Sequence, residues 1–145
     1  MPSVEIVLVE DNPDDVELTT RALRKSNFTN PIHVLRDGAE ALDYLFGTGS
    51  DGRPNLPPSP VVMLLDLKLP KVSGLEVLQK VKDDPRTRTI PVVVMTSSRE
   101  DRDLEETYRL GANSYIVKPV DFEQFNKAVT EIGLYWLLIN QQPRA

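Results

Sequence analysis

Val61-Val62-Met63-Leu64-Leu65-Asp66-Leu67-Lys68-Leu69-Pro70 decides the fold: five apolar residues in a row, closed by a carboxylate and then by a proline. Five residues is an ordinary strand length, and a run without polar alternation marks a strand covered on both faces, as parallel sheets require. The carboxylate that follows is expensive to bury unpaired, so Asp66 at the end of such a strand asks for a partner. Working outward, the same grammar repeats. Val4 to Val9 is a short apolar run followed by Glu10-Asp11, Pro91 to Met95 is followed by Thr96, and Ser114 to Val117 by Lys118. Ile32 to Leu35, carrying His33 and followed by Arg36, reads as a more exposed strand at a sheet edge.

Helical signals fill the gaps. Asn12 is placed to cap a helix with Pro13 in its first turn, and Val16, Thr19, Ala22 and Leu23 form its apolar stripe. Asp37-Gly38 leads into a helix carrying Ala41, Leu42 and Leu45; further helices are expected from Ser73 to about Asp83, from about Asp101 to Leu110, and from Asp121 to about Ile139. Gly111 stands where a helix end often needs a positive φ. Five strands alternating with five helices predict an α/β chain, a doubly wound (βα)5 three-layer sandwich around a parallel five-stranded sheet. One domain is expected over 1–145, interrupted by a Gly/Pro-rich loop at about 47–60 that holds three of the seven glycines and four of the twelve prolines.

Composition narrows the chemistry. With 145 residues, 22 acidic side chains and 17 Lys plus Arg, the formal charge is −5, a poor match to a general nucleic-acid binder. No cysteine removes disulfides, thiolate catalysis and Cys-built metal sites, and one histidine removes His-rich metal centres. The opening MPSVEIVLVED lacks the features of a signal peptide, and no apolar run spans a bilayer, so a cytoplasmic protein without membrane contact is expected.

Ligands of open α/β sheets bind outside the carboxyl ends of the strands, where the strand order reverses. In the order 2-1-3-4-5 the first and third strands are neighbours, which brings Glu10 and Asp11 beside Asp66, with Thr96 and Lys118 at the adjoining strand ends. Three close carboxylates repel unless a cation bridges them, and an all-oxygen set suits Mg2+ better than Zn2+. A metal, an ammonium and a hydroxyl around one carboxylate suit stabilisation of phosphoryl oxygens during transfer, with Asp66 as the nucleophile.

The motifs Val9-Glu10-Asp11-Asn12, Leu65 to Pro70 with Gly74, Met95-Thr96-Ser97, Gly111-Ala112 and Val117-Lys118-Pro119 occur in this order across essentially the whole chain. On these the sequence resembles the receiver domain of two-component response regulators, which implies the flavodoxin-like receiver fold. The resemblance implies that Asp66 accepts a phosphoryl group from a histidine kinase, and that Asp11, Asp66 and the Lys68 carbonyl hold Mg2+ with Glu10 acting often through water. It implies Thr96 as the switch hydroxyl, Lys118 as the cation on the phosphoryl oxygens, and Tyr115 as the aromatic that moves with the threonine. Lys68 and Ser98 fall where such domains vary the lifetime of the phosphoryl group, and the Lys118-Pro119 bond is usually cis in this family.

The loop at 47–60 and the apolar segment Ile132 to Ile139 resemble features of single-domain regulators partnered with phytochrome-type sensor histidine kinases. That likeness implies a sensor histidine kinase as partner and a homodimer through the face of helix 4, strand 5 and helix 5. No DNA-binding domain is expected after the fifth helix, and output by protein contact is expected with it. A phosphorelay intermediate or phosphate sink, passing the group to another histidine-containing protein, shares every site residue. A haloacid-dehalogenase-type hydrolase fits poorly, because Lys68 stands where its second Asp belongs. A flavodoxin-like cofactor binder fits poorly too, because Glu10-Asp11 repels a phosphate at the first loop.

Overall fold

The computed structural model describes residues 5–25, 28–47, 61–97, 101–118 and 121–131. Its elements run β1 (Glu5–Val9), α1 (Pro13–Lys25), β2 (Ile32–Leu35), α2 (Gly38–Phe46), β3 (Val61–Asp66), α3 (Gly74–Asp83), β4 (Val92–Thr96), α4 (Asp101–Arg109), β5 (Ser114–Val117) and α5 (Phe122–Glu131). The five strands form one parallel sheet in the order β2-β1-β3-β4-β5. Residues 48–60, Ser98, the Lys118-Pro119 bond and the segment Ile132 to Ile139 lie outside the described residues.

The two-residue period of a strand sorts the core into two layers. Ile6, Leu8, Val62, Leu64, Val93, Met95 and Ile116 face one side, where they pack with Ala22 and Leu23 of α1, Phe28, and Phe125 of α5. Val7, Val9, Met63, Leu65, Val92 and Val94 face the other, against Ala41 and Leu45 of α2 and Val77, Leu78 and Val81 of α3. Both faces are therefore covered, which explains the continuous apolar runs. Phe28 and Phe125 meet edge to face, their ring centroids 5.2 Å apart, and tie α5 to the segment after α1.

Helix starts follow the expected caps. Asn12 Oδ1 accepts from the Asp14 and Asp15 amides at 2.8 and 3.3 Å. Asp37 accepts from Glu40 N at 2.8 Å, Ser73 from Glu76 N at 3.2 Å, and Asp121 from Gln124 N at 2.8 Å. Gly111, at φ 104, closes the turn after α4. Strand β4 begins one residue later than the sequence suggests. Pro91 has no N–H for the ladder, although its carbonyl accepts from Met63 N at 2.9 Å, and the strand instead extends to include Thr96, paired with Val117. Asp66 likewise is the last residue of its strand. Among the described residues no helix is long and apolar enough to cross a membrane.

Candidate functional site

Register places the site. Val9 pairs with Leu65, Asp66 with Met95, and Thr96 with Val117, so the carboxyl ends of β1, β3, β4 and β5 finish nearly level. The ladders run slightly past the strands: Glu10 N donates to Leu35 O at 2.9 Å and Lys118 N to Thr96 O at 2.8 Å. These bonds fix the backbone under Glu10 and Lys118. The chain leaves β1 toward β2 on one side while β3 lies on the other, and the resulting crevice holds the acidic cluster.

Glu10, Asp11 and Asp66 each bring a carboxylate oxygen within 4.8 Å of the others'. Glu10 and Asp66 are buried, Asp11 is exposed. Lys118 Nζ reaches into this group, 2.5 Å from Glu10 Oε1, 3.0 Å from Asp15 Oδ2 and 3.2 Å from Asp66 Oδ2. The Asn12 amide donates to Glu10 Oε2 at 3.2 Å and the Lys68 amide to Asp66 Oδ1 at 3.4 Å, so each buried carboxylate is also held by a backbone N–H two residues on. Thr96 is buried at the adjoining strand end.

The electrostatics are lopsided. Among the described residues four carboxylates, of Glu10, Asp11, Asp15 and Asp66, face one ammonium. Burial pushes the Glu10 carboxyl up to about 7, against the pull of Lys118 and with Asp66 adding to the rise. Burial works against the charge of Lys118 as well, yet its contacts with Glu10 and Asp15 and the field of Asp66 outweigh that and hold it above the ordinary lysine value. Glu10 Oε1, fully buried, accepts no hydrogen bond of good geometry and meets Lys118 as an ion pair. A buried oxygen so placed, within an all-oxygen set carrying surplus negative charge, fits a hard divalent cation.

The structure thus brings together Glu10, Asp11, Asp66 and Lys118, with Lys68 and Thr96 on the flanking backbone. Asp15 was not among the expected site residues. It looks like an ordinary first-turn acid of α1, favoured there by the helix dipole, and only the fold reveals its bond to Lys118, 103 positions away. Tyr115 is half-buried, its ring 6.5 Å from that of the exposed Tyr108 on α4. His33 is an exposed edge-strand residue, as expected, 3.8 Å from Glu5 Oε1 and remote from this cluster in the β1–β2 register.

A doubly wound parallel sheet with an acidic cluster and a lysine at its switch point is the architecture on the page, and comparison with known proteins gives its family. Residues 6–130 match the response regulator receiver domain, and the chain belongs to that family. The bacteriophytochrome response regulator AtBRR shares 52% of its sequence with the chain, superposes with a TM-score of 0.81, and is matched over 97% of this chain and 99% of its own. The probable methanogenesis regulatory protein FilR2 of Methanothrix harundinacea is 47% identical over 95% of this chain and 86% of its own length. The response regulator Rcp1 of Synechocystis is 37% identical over 94% of this chain and 90% of its own. An Mn2+-bound form of Rcp1 superposes with a TM-score of 0.71 at 35% identity, covering 99% of this chain and 100% of that one.

Proposed function

We propose that the chain is a phosphorylated switch: Asp66 accepts a phosphoryl group from the phosphohistidine of a sensor histidine kinase. The placement of Asp66 carries this reading, since it sits buried at the switch point with Lys118 Nζ 3.2 Å from its Oδ2. A carboxylate oxygen of Asp66 attacks the phosphorus, the P–N bond to the imidazole breaks with its electron pair returning to the ring, and a mixed carboxylic–phosphoric anhydride forms on Asp66. Lys118 pairs with the phosphoryl oxygens and Thr96 donates its hydroxyl to them, which draws both toward the new charge. That pull biases β4, β5 and α4 between two packings and carries the signal to another surface. Water attack on the phosphorus returns the free carboxylate and releases phosphate.

The residues fit Mg2+. Asp11, Asp66 and the Lys68 carbonyl would hold it directly, with Glu10 behind them, and the ion offsets charge on the phosphoryl oxygens when bound. The Mn2+-bound form of Rcp1 supports a divalent cation here by analogy.

The likeness to the bacteriophytochrome response regulators AtBRR and RtBRR supports a phytochrome-type kinase as the donor. Output by protein contact in the cytoplasm completes the reading. A homodimer through the α4–β5–α5 face belongs to the same reading, with Tyr108 exposed on α4. The test is transfer from a phosphorylated sensor kinase of this class. Label should pass to this chain only with Mg2+, and chelation should stop it. Transfer that ignores chelation, or none from any such kinase, would refute the reading.

A further inference from the structure

The loop between β3 and α3 carries the proposed phosphoryl acceptor at its start, and its position is fixed from two sides. At its base, Gly74 N donates to Leu67 O at 2.9 Å, and a side chain on Gly74 would run into Asp66 O, with Leu67 Cα only 2.6 Å away. At its tip the loop lies against the first turn of α2. Gly38 N donates to Pro70 O at 3.4 Å, and a Cβ on Gly38 would overlap Val72 O and come within 2.7 Å of Val72 C. Backbone atoms on both sides leave nothing soft to move aside. Next to this contact Asp37 caps α2 through Oδ1, while its Oδ2 lies 3.6 Å from Lys71 Nζ. Lys71 itself sits at φ 68, the left-handed conformation that a non-glycine residue keeps only when its surroundings hold it.

We propose that Asp37 and Gly38 are positioning residues for the Asp66 loop: the start of α2 sets where 68–72 lies, and so holds Lys68 and Asp66 in the geometry that cation binding and phosphoryl acceptance need. This rests on the function proposed above. It makes α2, which contributes no group to the acidic cluster, a support of that cluster. Loss of such support matters, because removing groups that orient metal ligands costs about 10–100-fold in metal affinity or activity.

Two variants displace the loop tip by different means. Gly38→Ala does so by volume. Lys71→Glu does so by charge, setting an acid opposite Asp37 from an exposed position that leaves the core intact. Three readouts are taken on the folded protein at low temperature: Mn2+ affinity by calorimetry, amide hydrogen exchange of 67–73 without metal, and phosphorylation rate with acetyl phosphate. The expected result is Mn2+ affinity about tenfold or more lower in Gly38→Ala, with faster exchange at 67–73 and slower phosphorylation. Lys71→Glu should show the same signs more weakly. The sign is diagnostic there: an added negative charge acting only through its field would tighten Mn2+ binding, whereas a displaced loop weakens it. Unchanged or tighter Mn2+ binding in both variants, with exchange at 67–73 as in the parent, would overturn the proposal. Failure of the parent itself to bind Mn2+ or take up phosphate would instead refute the function proposed above.

Discussion

Replacing Lys118 by methionine removes the one ammonium that, among the described residues, meets this group of carboxylates, and the structure predicts two effects of opposite sign. Nζ lies 2.5 Å from Glu10 Oε1 and 3.2 Å from Asp66 Oδ2, both carboxylates being buried. Breaking such a pair and leaving a charge stranded costs about 3–5 kcal/mol. Burial already holds Glu10 near 7, so at neutral pH it takes up a proton readily instead of staying charged and alone. That escape lowers the expected loss of stability without metal to about 2 kcal/mol. Cation binding should move the other way. A unit charge about 5 Å from a divalent ion repels it by roughly 2 kcal/mol in water and roughly 7 kcal/mol at the effective dielectric of a protein surface. The crevice is open on the Asp11 side, so the lower figure applies, and Mg2+ should bind about tenfold or more tightly to the variant. Because a ligand stabilises the state that binds it, the stability gap to the parent should narrow or reverse as Mg2+ is added. Urea denaturation of both proteins, with EDTA and with saturating Mg2+, reads the two effects together. A variant as stable as the parent in EDTA, or one that binds Mg2+ more weakly, would refute the view of Lys118 as the internal counter-ion.

Three further outcomes follow from the packing and the caps. Phe125→Ala should lose about 3–5 kcal/mol in urea, because the ring is buried against Phe28 with centroids 5.2 Å apart. Ser73→Ala removes the acceptor for Glu76 N and should cost about 1 kcal/mol, read as a lower denaturation midpoint with an unchanged slope. Tyr44 donates to Glu5 Oε1 at 2.6 Å, and burial together with Glu5 raises its pKa above the ordinary value of 10.0. Its contribution is therefore complete below pH 10 and fades as pH climbs through the raised pKa, so the stability advantage of the parent over Tyr44→Phe should shrink from pH 8 to pH 11.

How much of this was legible in the sequence depends on distance along the chain. The strands were legible because burial on both faces writes itself as an apolar run, and Asp66 stood out because a carboxylate directly after such a run needs a reason. The convergence of Glu10, Asp11, Asp66 and Lys118 followed from strand order, which the alternation of elements and the motif resemblance indicated together. Asp15 was hidden by a sufficient local explanation, since an acid in the first turn of a helix is expected there for the dipole alone. The bond from Tyr44 to Glu5, 39 positions apart, and the seating of Val72 on Gly38 are products of how α2 lies on the sheet, which no local pattern encodes. Strand β4 starts one residue past Pro91, which is apolar like a strand residue yet has no N–H to give the ladder.

Intact mass shows whether Asp66 carries the phosphoryl group. The protein and Asp66→Asn are each incubated with Mg2+ and acetyl phosphate, then treated with hydroxylamine, which cleaves acyl phosphates. If Asp66 is the acceptor, the parent alone gains one phosphoryl group, and hydroxylamine removes it. An equal gain on Asp66→Asn, or a group that survives hydroxylamine, would contradict that assignment.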